Sequence, residues 1–314
     1  MNRCTSLVAL AAAGLVTMGA PAAAQAPSST PAASAAGAAV KLFPDSRIVV
    51  RDRFSVEVVG KGPDIVLIPG LASSRETWRA TAERLRGRYR LHLVNVAGFA
   101  GEPSRANAMG PVFVPTAEAI DAYLAQLHRP IVIGHSLGGT MILWLAENHP
   151  EHISKALIVD SLPFLGALIG GPTATSETVR PMAEGMRNQM MAAPGFDRTA
   201  NRPMIQGMVT APTDVDRVLD WGAASDKSVV ARAMAEDMML DLRPGLGKIT
   251  TPIVLLYPDT AGPTAAPQMM DGMYQAAYAP AKTIKPVRID GSRHFISYDQ
   301  PARFYEQLDR LLGS

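Results

Sequence analysis

The residues best suited to chemistry in this sequence form a G-x-S-x-G pattern at residues 134–138, with Ser136 at its centre. An apolar run at residues 131–133 precedes the pattern, and a helical pattern at residues 140–148 follows it. A strand, a sharp turn and a helix in this order can expose a serine as a nucleophile, because the glycines permit the tight turn. A serine hydroxyl also needs a base and donors for a developing oxyanion, so these are sought next.

His294 is the best candidate for the general base among the six histidines of the chain. It follows the last predicted strand within residues 290–295, so its loop returns to the carboxyl edge of the sheet, where the turn at Ser136 also ends. There it would take the serine proton and return it to the leaving group. His135 is adjacent to the serine, but neighbouring side chains on a turn point apart, so we expect His135 to brace the turn.

Two aspartates compete for the carboxylate that would orient His294. Asp259 follows a predicted strand at residues 253–257, and Asp160 follows a predicted strand at residues 156–159. Either carboxylate could therefore reach the imidazole from the end of its strand. Either could also be a helix cap or an ordinary loop residue, so the residues alone leave both alternatives open.

Two backbone amides are candidates for an oxyanion hole. Residues 68–72 join a predicted strand to a helix, and the amide of Leu71 in this turn is placed to face a developing oxyanion. The amide of Leu137, directly after the candidate nucleophile, would be the second donor. A simple Pro-Gly turn is the alternative reading of residues 68–72.

The elements that must position these residues alternate between short apolar runs and amphipathic helices. Strands are predicted at residues 54–59, 65–68, 91–96, 131–133, 156–159, 253–257 and 287–289, and helices at residues 75–85, 116–127, 140–148, 267–278 and 301–312. Apolar strands that alternate with helices indicate a mostly parallel sheet flanked by helices in one α/β domain. The core is predicted to comprise residues 41–162 and 248–314.

Residues 163–247 break this alternation, because they show helical stretches and no convincing strand. An insertion of this length is expected to lie over the carboxyl edge of the sheet as a helical cap, where ligands bind in open α/β sheets. Most of its methionines are expected to pack the cap helices, and a subset facing the cleft would make an adaptable apolar pocket. They are Met182, Met186, Met190, Met191, Met204, Met208, Met234, Met238 and Met239.

The amino-terminal residues carry the pattern of an export signal. Within residues 1–25, Arg3 is followed by an apolar stretch at residues 7–16 and by small residues at 22–24. The apolar stretch is short for a membrane anchor, so no stable membrane insertion is expected. Residues 26–40 are rich in Ala, Pro and Ser and predict a flexible leader. We expect a periplasmic or secreted protein, without cysteine after cleavage because Cys4 is the only one.

The charges argue against a nucleic-acid partner. Lys and Arg number 30 against 28 Asp and Glu, and they are scattered without a basic block.

In combination, these residues resemble the α/β-hydrolase superfamily, in the branch that carries a helical cap after the sixth strand. The resemblance covers residues 54–312 and rests on the turn at 69–71, the elbow at 134–139 and the histidine loop at 291–295. It implies an acyl-serine mechanism on an ester, lactone, thioester or amide, without a metal or an organic cofactor. Ser136 in place of aspartate sets the chain apart from the haloalkane dehalogenases and epoxide hydrolases of this fold.

The sequence departs from the family pattern at two places. The oxyanion turn usually contains His-Gly, where this chain has Pro69-Gly70. The family acid typically stands about three residues after a glycine that ends the seventh strand, but here Pro258 replaces the glycine and Asp259 follows at once. We favour Asp259 on a shortened loop, and Asp160 is the alternative because some members place the acid after the sixth strand.

The resulting expectation is an exported serine hydrolase, a carboxylesterase of small or medium acyl esters whose substrate is an apolar small molecule. An amidase or peptidase and a carbon–carbon bond hydrolase of the same fold are the enzymatic alternatives, although no acidic cluster in the cap would hold a free amine. A ligand-binding protein that kept the fold without catalysis is the alternative from another class. The oligomeric state is not indicated.

Overall fold

A computed structural model describes residues 41–260 and 267–313. The predicted signal at residues 1–25 and the predicted leader at residues 26–40 lie outside the described residues. The sheet comprises β1 Arg47–Val50, β2 Phe54–Gly60, β3 Asp64–Ile68, β4 Arg90–Val96, β5 Ile131–His135, β6 Lys155–Val159, β7 Ile253–Pro258 and β8 Ile284–Ile289.

The strands form one 8-stranded sheet in the order β1-β2-β4-β3-β5-β6-β7-β8. β1 and β4 each pair with β2 in the antiparallel sense, and the remaining neighbours are parallel. The predicted α/β class with a mostly parallel sheet is therefore confirmed. β1 was not predicted from the sequence. It is a four-residue edge strand whose residues are all partly or fully exposed, so it lacks a strong apolar pattern.

Both faces of the sheet are covered, which explains the continuous apolar character of its central strands. In β3, Val66 and Ile68 belong to one apolar core, whereas Ile65 and Leu67 belong to the core on the other face. Successive side chains of a strand point to opposite faces, so a strand covered on both sides must be apolar throughout.

The helices of the described residues divide between the sheet and the segment that follows β6. The sheet is flanked by α1 Arg79–Leu85, α2 Phe113–Leu124, α3 Leu137–Asn148, α9 Pro267–Tyr278, α10 Ile296–Asp299 and α11 Pro301–Leu312. Between β6 and β7 lie α4 Ala167–Gly170, α5 Ser176–Ala192, α6 Arg198–Met208, α7 Pro212–Ala224 and α8 Lys227–Met239. The segment predicted as a cap is thus built of helices, and we call α4–α8 the cap helices.

Polar contacts fix α8 to the loop that precedes α2. Asp226 caps the amino end of α8 and accepts a 2.6 Å hydrogen bond from the Ser104 hydroxyl. Arg232 donates to the carbonyl of Asn107 at 2.7 Å. The Glu236 carboxylate accepts the amides at the start of α2, including that of Phe113 at 2.7 Å, where a negative charge also suits the helix dipole.

A second contact ties α6 to the loop that contains His294. One oxygen of the Asp299 carboxylate accepts the amide of Thr210 at 2.8 Å, and the other accepts the amide of Arg293 at 2.8 Å. The amide of Phe295 also donates to the carbonyl of Met208 at 3.0 Å. The cap helices and the histidine loop are therefore held together directly.

Within residues 41–260 and 267–313, no helix combines the length and the apolar character needed to cross a bilayer.

Candidate active site

Ser136 lies on a strained turn between β5 and α3. Its φ is 53° and its ψ is −121°, a backbone conformation that a residue with a Cβ adopts only under constraint. A Cβ on Gly134 would come within 2.4 Å of the Gly138 carbonyl oxygen, and a Cβ on Gly138 within 2.4 Å of the Ile68 carbonyl oxygen. The two glycines of the pattern are therefore required by close backbone contacts, and the turn has the form predicted for a nucleophile elbow.

His294 is paired with Asp160. Its Nδ1 lies 2.6 Å from Asp160 Oδ2, and the side chains are 21% and 11% exposed, respectively. An ionised carboxylate only accepts, so the histidine proton is on Nδ1 and the free lone pair is on Nε2. Both Ser136 and His294 line one cavity, although no hydrogen bond joins Ser136 Oγ to His294 among the described residues. Such bonds commonly tighten only when substrate binds.

The structure does not bring Asp259 to the histidine, contrary to the favoured interpretation of the sequence. Asp259 Oδ2 accepts the amide of Gly291 at 3.0 Å and so holds the start of the histidine loop through its backbone. Asp160 reaches the imidazole because β6 lies next to β5, the strand that ends just before Ser136. A positive φ of 51° at Asp160 turns the chain immediately after β6. The alternative acid therefore occupies the position beside His294.

Tyr274 completes the surroundings of Asp160. Its hydroxyl donates to Asp160 Oδ1, so the two carboxylate oxygens have separate donors. Burial raises the pKa of Tyr274 well above its usual value, and the nearby Asp160 carboxylate adds to the shift, so the phenol keeps its proton and remains a donor. Tyr257 stacks on Tyr274 with ring centroids 4.5 Å apart. The role of Tyr274 was not predicted from the sequence, although Tyr274 and Tyr278 are spaced one turn apart on a predicted helix.

His135 supports the histidine loop from below. Its Nε2–H donates to the carbonyl oxygen of His294 at 3.1 Å, and its ring lies 4.5 Å from those of His294 and Phe295. Burial lowers the pKa of His135 well below its usual value, and the neighbouring His294 lowers it further. The imidazole is therefore neutral, and it contacts the backbone that carries the candidate base.

The candidate oxyanion amides come from two segments that pack against each other. A Cβ on Gly70 would lie 3.1 Å from Ser136 Cβ and 3.0 Å from His135 Nδ1, so the turn before Leu71 rests directly on the elbow. Leu137 is the first residue of α3, and the amide at this position has no carbonyl partner within its own helix. Leu71 lines the cavity together with Ser136.

The cavity above Ser136 has a volume of about 1630 Å³ and lies between the carboxyl edge of the sheet and the cap helices. This is larger than the roughly 300–1,000 Å³ of ordinary small-molecule sites. Much of its wall is apolar, with methionines from the cap helices and from α9. Of the methionines expected in the cap, Met182 and Met191 are exposed at 49% and 43%, whereas the following line the cavity: Met190, Met204, Met208, Met234 and Met238.

One group among the described residues has the donor set of a metal site, and it lies away from this cavity. Asp121, His149 and His152 place one ligand atom each within 4.8 Å of one another. His149 follows the last residue of α3, so the group is roughly 20 Å along the helix from Ser136 at 1.5 Å per residue. It therefore cannot act on a substrate at the elbow.

Comparison with known families and sequences gives one consistent result. A model of the Alpha/beta hydrolase family matches residues 65–307. A pimeloyl-[acyl-carrier protein] methyl ester esterase of Aeromonas hydrophila is 29% identical over 268 residues, which span 82% of this chain and 99% of the relative. The esterase of the same name from Nitrosomonas europaea is 27% identical over 209 residues, 64% of this chain and 79% of that protein.

Solved structures share the fold at low sequence identity. A hydrolase of Pseudomonas aeruginosa superposes with a TM-score of 0.66 at 18% identity, covering 86% of this chain and 99% of that one. An enol-lactonase of Burkholderia xenovorans gives 0.63 at 18% identity, over 83% of this chain and 96% of that one. At this identity the likeness establishes the architecture and nothing finer.

Proposed function

This chain belongs to the alpha/beta hydrolase family, and we propose that it is a serine hydrolase that cleaves carboxylic esters through an acyl-serine intermediate. The observation that carries the proposal is the 2.6 Å contact between His294 Nδ1 and Asp160 Oδ2 beside a cavity that Ser136 also lines. The names of the relatives from Aeromonas hydrophila and Nitrosomonas europaea support an ester as the scissile group. The proposal for this chain includes the ester as the bond that is cleaved and does not include an acyl-carrier protein as part of the substrate.

Each step of the proposed reaction is assigned to a named residue. Ser136 Oγ attacks the ester carbonyl carbon while His294 Nε2 accepts the hydroxyl proton, and the amides of Leu71 and Leu137 stabilise the oxyanion. Collapse of the tetrahedral intermediate expels the alkoxide, which takes the proton from His294 and leaves as the alcohol. Water then attacks the acyl-serine with His294 again as the base, releasing the acid and restoring Ser136. Asp160 stabilises the imidazolium that forms in both steps.

The substrate we propose is an uncharged ester with an apolar part. The methionines of the cavity wall favour this class, because the thioether side chain is apolar and adapts to irregular shapes. Hydrolysis rates for p-nitrophenyl esters of increasing chain length will show how long an acyl group the cavity accepts.

A fluorophosphonate probe and two aspartate variants test the mechanism. We expect the probe to label wild-type protein and not Ser136→Ala. Asp160→Asn should lower kcat by about 10⁴, the effect of a wrongly oriented histidine tautomer. Asp259→Asn is the matched control and should lower kcat by less than about tenfold, because the Asp259 carboxylate accepts the backbone amide of Gly291 and not the imidazole of His294.

Two results would contradict the proposal. If folded wild-type protein does not react with the probe, the chain is a binding protein on a hydrolase fold and not a serine enzyme. If Asp160→Asn and Asp259→Asn lose activity equally, Asp160 is not the orienting acid.

Export to the periplasm or beyond is a further part of the proposal, supported by the composition of residues 1–25. Sequencing the amino terminus of protein recovered from the periplasm of an expressing bacterium tests it. A new terminus close to residue 25 is expected, and an uncut chain retained in the cytoplasm would contradict it.

A further inference from the structure

A small polar group interrupts the apolar wall of the cavity. It consists of Asp237 on α8, Thr140 on α3 and Ser161 just after β6, and we call it the Asp237 group. All three residues line the cavity. The Thr140 and Ser161 hydroxyls are 3.0 Å apart, and both side chains are buried.

Asp237 is the unusual member of this group, because its carboxyl is buried without a full set of partners. The residue is only 8% exposed, and no described residue forms a hydrogen bond with its Oδ1. No ion pair to it occurs among the described residues, whereas Asp241, four positions further on, is paired with Arg243 at 2.6 Å. Buried polar atoms in folded proteins nearly always have a partner, so an unpartnered one beside a cavity points to a ligand.

The protonation of this carboxyl follows from its surroundings. Burial raises the pKa of Asp237 to about 7, and the Thr140 hydroxyl opposes the shift only in part. Near neutral pH the group is therefore present both as an acid that donates and as a carboxylate that accepts.

The distance from the elbow places this group within reach of a bound ester. Thr140 is four residues after Ser136 and begins the next turn of α3, about 6 Å along the helix axis. A substituent a few carbon atoms away from the scissile carbonyl would thus reach the Asp237 group while the carbonyl stays at Ser136. The terminal torsion of an aspartate is broad, so either oxygen can turn toward such a substituent.

We propose that Asp237, together with Thr140 and Ser161, binds a hydroxyl group carried by the ester substrate. This inference rests on the proposed esterase function and assigns the substrate class of the same cavity. A hydroxyl both donates and accepts, which matches an acid that exchanges its proton and two neighbouring hydroxyls. A cation fits less well, because the carboxylate of Asp160, the residue before Ser161, already accepts from His294 and Tyr274.

The test compares esters that differ only by the hydroxyl. Methyl 3-hydroxybutanoate and methyl 6-hydroxyhexanoate are compared with methyl butanoate and methyl hexanoate, and 2-hydroxyethyl hexanoate with ethyl hexanoate. The first two pairs carry the hydroxyl on the acyl side and the last pair on the alcohol side. Wild type should prefer the hydroxylated member of at least one pair by about tenfold or more in kcat/KM, since one hydrogen bond to a buried charged group is worth about that much.

Variants separate this role from a structural one. Asp237→Leu should bring the ratio of kcat/KM between the two esters of a pair close to one, and Asp237→Asn should retain part of the preference. Glu184→Gln, an exposed carboxylate on α5, is the matched control and should keep the wild-type ratio. Melting temperatures of all variants check that they fold.

Binding to a non-reacting protein makes the test independent of hydrolysis. Calorimetry with Ser136→Ala and with Ser136→Ala/Asp237→Leu should show tighter binding of the hydroxylated esters only to the first. An equal ratio of affinities in both proteins, or a kcat/KM ratio that Asp237→Leu leaves unchanged in every pair, would overturn the inference. Loss of hydrolysis with the binding preference intact would instead count against the proposed esterase function alone.

Discussion

Asp160 contacts both the candidate base and a buried phenol, and the second contact predicts a measurable effect on turnover. Tyr274 donates to the oxygen of Asp160 that His294 does not use. Without this donor the carboxylate would be free to rotate away from the imidazole.

We therefore expect Tyr274→Phe to lower kcat by about tenfold, with KM less affected, because the loss concerns charge that develops in the transition state. Steady-state kinetics on a p-nitrophenyl ester measure the change. Tyr278→Phe is the matched control, since Tyr278 donates to the backbone carbonyl of Ser161 and should affect stability more than turnover. Equal losses of kcat in the two variants would mean that Tyr274 has no specific effect on Asp160.

At this scale, the sequence predicted best where backbone geometry demands particular residues. Ser136 lies between Gly134 and Gly138, where a side chain would collide with the carbonyl oxygens of Gly138 and Ile68, respectively. The sequence pattern therefore shows this constraint directly. The choice between Asp160 and Asp259 could not be made in this way, because both end a strand at the same edge. That choice depends on how the loops after β6 and β7 fold at the edge of the sheet. Asp237 was not predicted either, because a single aspartate in a helical pattern cannot be told from a surface residue by sequence.

At the scale of elements, the link between the cap helices and the histidine loop predicts coupling of stability and activity. The Asp299 carboxylate accepts one amide from each side, those of Thr210 and Arg293. The candidate base, His294, is the next residue along the chain after Arg293.

We expect Asp299→Ala to lower the free energy of unfolding by about 1–2 kcal/mol and to lower kcat as well, because two backbone amides lose their acceptor. Urea denaturation and ester kinetics measure the two effects. Asp290→Ala serves as the control, because the carboxylate of Asp290, in the same region, pairs with Arg288 and Arg303, and neither of these residues belongs to a cap helix. If kcat is unchanged while stability falls, the link is structural and does not position His294.

The elements themselves were largely predictable, and the exceptions have physical causes. The helices at Pro267–Tyr278 and Pro301–Leu312 match their predicted bounds, since a proline marks each beginning. β8 begins at Ile284, whereas the sequence predicted a strand from residue 287. Lys285 and Pro286 interrupt the apolar pattern, so the first half of the strand was not predicted although its pairing with β7 continues through them. β1 was missed because an edge strand has only one neighbour and needs no apolar face.

At the scale of the whole molecule, two buried groups make stability depend on pH in opposite directions. The pKa of His135 is lowered in the folded state, so its contribution to stability is present above the unfolded pKa near 6.5 and is lost as the pH falls toward the folded pKa. The pKa of Asp237 is raised to about 7, so its contribution is present at low pH and is lost as the pH rises through about 7.

The variants should therefore differ from wild type with opposite pH dependence. Relative to wild type, Asp237→Asn is expected to gain about 1 kcal/mol or more in unfolding free energy at pH 8 and less at pH 5. His135→Gln should be destabilised more at pH 8 than at pH 5. Urea denaturation at the two pH values measures both, and a pH-independent difference for either variant would show that its group titrates alike in the folded and unfolded chain.

The architecture followed from the alternation of apolar strands and helices, and the matching family model confirms the resemblance seen in the sequence. The shape of the space above Ser136 did not follow, because it depends on how the cap helices dock. That docking includes polar contacts, such as those of Arg232 and Glu236 with distant backbone groups, and these leave no periodic signal in the chain.

Those same contacts attach one of the cap helices, α8, to the loop before α2. Because α8 is bound to the loop before α2 along its length, the wall that carries Asp237 belongs to the rigid frame of the molecule. Met204 on α6 and Val215 on α7 line another part of the same cavity. The carboxyl proposed to bind the hydroxyl and these apolar side chains are thus carried by different helices, so substitutions at Met204 or Val215 should change the space for the apolar part of the ester while the hydroxyl preference is retained.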